Sequence, residues 1–259
     1  MSKLIRIELL KIRTTRLTYG LLATAAGLTA LLTVLRAATA GTGHAQPLYT
    51  AAGLTTVLTV IGFALLITTV FGVTVSSGEF RHNTATATYL AAPNRSRVMI
   101  AKMLAAAGVG LVFGGAGVAA TTAVALVFVA THGYHVALGA GTILGYGAGA
   151  ILAAALLAAV GVALGTLIRA QLGAVIGVFV WAFFIESILG GVFNQIGPYL
   201  PFTAATTLAG AKLGGGGFGF AGSSTATSLP LIAAAALIAT VAALLSTIAA
   251  RTTLRADIT

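Results

Sequence analysis

Between Met103 and Ile168 the chain runs for 66 residues without a single Asp, Glu, Lys or Arg. Those four residue types normally stay in water, and a soluble fold cannot cover its surface without them. The shortage is general. Charged residues make up 7% of the 259, against about 25% in an ordinary soluble domain. Apolar types make up 58% and mean hydropathy is +1.05. These figures exclude a soluble enzyme and a disordered tail. The absence of cysteine excludes a disulfide scaffold, thiol catalysis, Fe–S clusters and Cys-based zinc sites. An all-α integral membrane protein remains.

A membrane-spanning helix needs about 20 mostly apolar residues, and the gaps between charges supply them. Leu17–Leu35 is the first span. Ala37–Gly78 opens with a loop (Gly41, Gly43, His44, Gln46, Pro47) and continues as a second span over Leu54–Ser76. The 66-residue run is right for two helices hinged at Thr131–His135, giving spans over Ala105–Val129 and Ile143–Ile168. A fifth follows at Leu172–Phe193, interrupted by Glu186. Asn194–Ser228, rich in Gly, Ser and Thr, reads as loop, and Leu229–Ala249 is the sixth span. With no hydrophilic domain in view, residues 1–259 form a single transmembrane domain.

Six spans place both termini on one side. Twelve of the fourteen basic residues fall there: Lys3, Arg6, Lys11, Arg13, Arg16, Arg81, Arg95, Arg97, Lys102, Arg169, Arg251 and Arg255. Only Arg36 and Lys212 fall on the other. Basic residues concentrate in cytoplasmic loops, so both termini are expected in the cytoplasm and the protein in the cell membrane. The +10 net charge is then a topology signal, with no nucleic-acid partner implied. Lys/Arg followed by Leu17–Leu35 and Ala38-Thr39-Ala40 has the outline of a cleaved signal peptide. Signal h-regions run about 7–15 residues; this one has 19 with 16 residues before it, which favours a retained span.

Catalytic signatures are missing. Gly214–Gly217 is followed by Phe218, not by the Lys-Ser/Thr of a phosphate loop. His132 and His135 stand at i, i+3 but have no acids or thiols nearby, so they read as loop residues and no metal is expected. Small residues recur at spacing four in Gly110/Gly114, Gly161/Gly165 and Gly173/Gly177. Packing within the bundle is the favoured reading, a dimer interface the other. Ile5, Leu9 and Ile12 mark one stripe of a short N-terminal helix.

The connection between the second and third spans is the most informative segment. It reads Ser77-Gly78-Glu79-Phe80-Arg81-His82-Asn83-Thr84, then Tyr89-Leu90, Pro93, Arg95, Arg97 and Lys102. Thr84–Ala92 can form a short helix, stopped before Pro93. This pattern resembles the permease subunits of bacterial type-2 ABC exporters in their six-span form. Their Glu-[Phe/Tyr]-Arg-x-x-Thr pattern is matched by Glu79–Thr84, and their following Leu-x-x-Pro by Leu90 and Pro93. Ile7–Arg16 looks like the family's in-plane leading helix, and Pro198–Leu208 like the short re-entrant helix before its last span.

The resemblance implies a mechanism. Two permease chains, identical or related, pair with two separate ABC ATPase subunits. Those subunits hold ATP and Mg, so this chain needs no cofactor and is not itself an enzyme. Glu79–Ala92 becomes the cytoplasmic coupling helix, with Glu79, Phe80, Arg81, Thr84 and Tyr89 as its contacts to the ATPase. The second and fifth spans line a path for cargo, with Thr68, Phe71, Phe179, Phe183 and Glu186 as candidates. Large aromatics with few charges suit an amphipathic or lipid-like cargo moved outward. A secondary transporter or channel, and a non-transporting scaffold or immunity protein, are the alternatives. Glu186 is the lone carboxylate inside a span. Hydrogen bonding to Pro198–Leu208 leads its readings, ahead of lining the cargo path and of snorkelling outward.

Overall fold

A computed structural model describes residues 1–43, 45–81, 94–193, 195–210 and 229–252. Among them there is no strand. The helices are α1 (Ser2–Thr14), α2 (Arg16–Ala38), α3 (Ala51–Arg81), α4 (Arg95–Thr131), α5 (Ala140–Leu167), α6 (Gln171–Val192), α7 (Pro201–Leu208) and α8 (Leu231–Arg251). All except α1 and α7 are long and apolar enough to cross a membrane, which makes six spans.

Local chemistry sets the helix ends. Thr50 Oγ1 accepts from Gly53 N at 3.0 Å and opens α3; Asn94 Oδ1 accepts from Arg97 N at 3.1 Å and opens α4. Extended backbone at Thr15 separates α1 from α2, and extended backbone at Ala170 separates α5 from α6. Inside α3 a 3-10 turn at Thr59–Ile61 joins two α-helical stretches.

Two expected boundaries are corrected. The second span continues to Arg81, so Glu79, Phe80 and Arg81 occupy its last turn and do not begin a separate coupling helix. The third begins at Arg95, which puts Arg95, Arg97 and Lys102 on a helix of 37 residues. At 1.5 Å per residue that helix is about 55 Å long, against a hydrocarbon core of about 30 Å. Charged residues therefore ride on its first turns at no cost in lipid. Its N-terminal stretch also buries Val98, Met99 and Ala101, which rewards continuing the helix there. Within 194–228, where a short helix is expected over Pro198–Leu208, a 3-10 turn at Gly197–Tyr199 is followed by α7.

The bundle is built on α3 and α5. They are the most buried spans, at 78% and 72% over their most apolar stretch, against 33% or less for the rest. A Cβ on Gly72 would collide with the Ala158 carbonyl oxygen, and one on Gly161 with that of Thr69. Glycine at both places lets the two backbones touch, as helix association in lipid requires. Ser76 Oγ and Thr166 Oγ1, buried between the same helices, lie 2.6 Å apart. On the other side of α5, Gly110 and Gly114 of α4 pack against Ile151, Ala154 and Ala155. Gly173 has only Ala170 beside it and Gly177 has nothing within 4 Å, so the spacing-four pattern carries packing inside the bundle for two of its three pairs. Large apolar side chains such as Leu172 and Ile232 are turned outward from the bundle.

Candidate coupling site at the basic end of the bundle

α1, the last turn of α3, the start of α4 and the α5–α6 turn meet at one end. Two acids and two bases there form a closed ring. Lys102 Nζ lies 2.7 Å from Glu8 Oε2 and 2.7 Å from Glu79 Oε1. Lys11 Nζ lies 3.0 Å from Glu8 Oε1 and 3.0 Å from Glu79 Oε1. Each ammonium thus sits between both carboxylates, and three helices are joined. The helical periods supply the geometry: Glu8 and Lys11 are i, i+3 on one face of α1, and Lys102 points inward with Val98 and Met99. The Glu8 and Lys102 side chains are 4% exposed, those of Glu79 and Lys11 12% and 42%. Such burial is tolerable only because every charge has an opposite neighbour.

Burial by itself would push the Glu8 carboxyl upward. Lys102 and then Lys11 outweigh it, by charge and by hydrogen bond, and hold the group below its ordinary value of 4.5. Burial would likewise lower the Lys11 ammonium, but Glu79 and Glu8 hold it above its ordinary 10.5.

The next two residues face the other way. The Arg169 guanidinium lies over the Phe80 ring at 5.8 Å from its centre, and Arg81 Nη1 donates to Gln171 Oε1 at 3.3 Å. Glu79, Phe80 and Arg81 therefore connect α3 to α1 and α4 on one side and to the α5–α6 turn on the other. Thr84 and Tyr89, and with them the expected helix over Thr84–Ala92, lie outside the described residues, as do His82, Lys212, Gly214–Gly217, Arg255 and Asp257. Glu8, Lys11, Lys102, Arg169 and Gln171 were not among the site residues expected from sequence. The available signal was scarcity: in a chain with four acids, two near the same membrane face need cationic partners there.

The cargo-path candidates divide. Thr68 and Phe71 are 0% and 1% exposed. Thr68 Oγ1 donates to the Ala64 carbonyl at 2.6 Å, and Phe71 stacks on Phe113 of α4 with centroids 4.8 Å apart. Both are core residues of this chain. Phe179 and Phe183 of α6 stack on each other at 6.1 Å; Phe179 is exposed, and Phe183, partly buried, also meets Phe63 of α3 at 6.3 Å. A surface hollow of about 360 Å³ lies beside them, lined by Phe183, Phe184, Ser187 and Ile188.

Glu186 is buried and turned toward α7. Its Oε1 accepts from Trp181 Nε1 at 3.0 Å and Phe202 N at 2.9 Å. Its Oε2 accepts from Thr203 N at 3.0 Å and Thr203 Oγ1 at 3.1 Å. A carboxylate thus closes the N-terminus of α7, where free N–H groups and the helix dipole favour an anion. The pairing with Trp181 spans five residues, which an α-helix would put on different faces. A π-helical turn at Trp181–Ile185 brings the two into line.

Six apolar spans with a basic, ion-paired end define a multi-pass membrane protein of the permease kind. The sequence profile described as ABC-2 family transporter protein matches residues 4–185, from α1 through the π turn of α6. The chain belongs to that family: it is an ABC-2 permease. Membrane proteins of this family generally work with an ATPase subunit. No curated protein matches the chain.

Proposed function

We propose that this chain is the membrane-spanning half of an ATP-driven exporter. Two copies, or one copy and a related permease, pair with two ABC ATPase subunits that hold ATP and Mg; the chain itself performs no catalysis. The basic end faces the cytoplasm with both termini, α1 lies along the inner surface of the cell membrane, and residues 79–92 dock on the ATPase. α7 is a re-entrant helix at the outer surface, held by Glu186. The cargo is amphipathic or lipid-like and passes along α6, where Phe179, Phe183 and the adjoining hollow offer an apolar surface.

The observation that carries this reading is the anchoring of Glu79–Arg81. The segment that enters the 82–93 connection is tied to α1, α4 and the α5–α6 turn, so a push on that connection is delivered to four spans together. Co-expression with an ABC ATPase tests it. The expected result is a complex that survives purification and hydrolyses ATP faster in the presence of amphipathic compounds. An inserted, folded chain that retains no ATPase would sink the proposal and favour a secondary transporter, channel or scaffold.

A further inference from the structure

Every carboxylate at the basic end that the structure describes is consumed in the Glu8–Lys11–Glu79–Lys102 ring. What α1 presents on its open side is therefore cationic and apolar together. Lys3, Arg6, Ile7, Leu10 and Arg13 recur at steps of three and four, so they share one face. All five are exposed, Ile7 at 51% and Leu10 at 63%. Among the described residues no carboxylate lies within ion-pair distance of Lys3, Arg6 or Arg13. The opposite face is spoken for: Ile12 is buried, and Ile5 and Leu9 pack against the same cluster as Met99.

We infer that this face of α1 binds the anionic phospholipid headgroups of the membrane surface. Ile7 and Leu10 enter the boundary between headgroups and acyl chains, while Lys3, Arg6 and Arg13 reach the phosphates beside them. Helices that lie in an interface have this composition, and juxtamembrane cations are attracted to anionic lipid. A protein partner explains the arrangement less well, because two large aliphatic side chains lying between Lys3 and Arg13 along one helix face suit a surface that is apolar below and anionic above. Through the ring, lipid charge would set how firmly α1 holds the ends of α3 and α4. The inference rests on the in-plane placement of α1 proposed above.

The absence of native cysteine gives a clean probe. The full-length chain carrying Leu10→Cys is labelled with an environment-sensitive fluorophore and placed in nanodiscs of phosphatidylcholine alone or with phosphatidylglycerol. In anionic discs the emission should move to the blue and the label should gain protection from an aqueous quencher. High salt should reverse both effects. Each removed cation should lower the local docking constant about fivefold, so Lys3→Gln, Arg6→Gln and Arg13→Gln together, at about a hundredfold, should abolish the difference. Identical emission in the two discs overturns the inference, as does a difference that survives the triple substitution. Protection that arises only on adding an ATPase assigns the face to protein instead. The readout needs neither cargo nor ATPase, so it can fail while the exporter reading stands, and the reverse holds for co-purification.

Discussion

At the scale of single residues, the described acids of this chain hold helices together. Three of the four are described, and each meets several donors. Glu186 faces Trp181 Nε1 and two backbone N–H groups that can only donate, which selects an acceptor on both oxygens. Glu186→Gln would not preserve these bonds, since the amide nitrogen would face a donor. Both Glu186→Gln and Glu186→Ala should lower the melting temperature of the purified protein, by about 1–3 kcal/mol of lost charged hydrogen bonding for Gln and more for Ala. Equal stability of Gln and wild type would contradict this. In the ring, Lys102→Met leaves the buried Glu8 Oε2 without its partner and Lys11 as the ring's one ammonium for both carboxylates, and should cost up to about 3–5 kcal/mol. Adding Glu8→Gln should recover part of that loss, which a thermal-stability double-mutant cycle measures. The pH dependence has a definite sign. Glu8 is held below 4.5, so its contribution is present above that pH and is lost as pH falls through the lower folded value. Lys11 is held above 10.5, so its contribution is present below that pH and is lost as pH rises past the higher folded value. Glu8→Gln should flatten the acid limb of stability against pH and leave neutral pH the less stable for it. Thr29 Oγ1 is buried without a hydrogen-bond partner among the described residues, and Thr29→Val should be neutral or stabilising by the same measurement.

At the scale of elements, the α3–α5 contact decides whether the bundle closes. Gly161→Ala puts a methyl into the Thr69 carbonyl and should destabilise by about 1–3 kcal/mol as the helices part. Gly177→Ala, with open space around it, is the matched control and should change little. Equal thermal stability of the two variants would remove close backbone approach as the basis of the packing. The spans were legible in the sequence because lipid forbids unpaired charge, so charge-free runs mark where helices lie. Their ends were less so. Arg81, Arg95 and Lys102 look like loop residues to a count of charges, yet a helix that extends beyond the hydrocarbon carries them freely, and Lys102 is stabilised by partners 94 and 23 positions away. The π turn before Glu186 had no local signature. Its reason is the meeting of Trp181, Glu186 and the N-terminus of α7, which exists only once the chain has folded back. Glu79 and Arg81, singled out from sequence as contacts to an ATPase, lie in a helix end gripped from two sides.

At the scale of the whole molecule, the proposed orientation rests on charge. A cysteine introduced at His135, exposed in the α4–α5 turn, should react with an impermeant reagent on intact cells. One at Arg97, exposed on the first turn of α4, should react only after permeabilisation. The opposite pattern would invert the proposed topology. Membrane proteins of this family generally work with an ATPase subunit, and the proposed function has its energy enter at the anchored turn Glu79–Arg81. Site-directed crosslinking from the 82–93 connection tests this most directly. With Thr84→Cys or a photoreactive group at Tyr89 in the otherwise cysteine-free chain, co-expressed with its ABC ATPase, the adduct formed should be permease bound to ATPase, and its yield should change when ATP is bound. Crosslinks to lipid or to the permease alone, in protein that is inserted and folded, would contradict it.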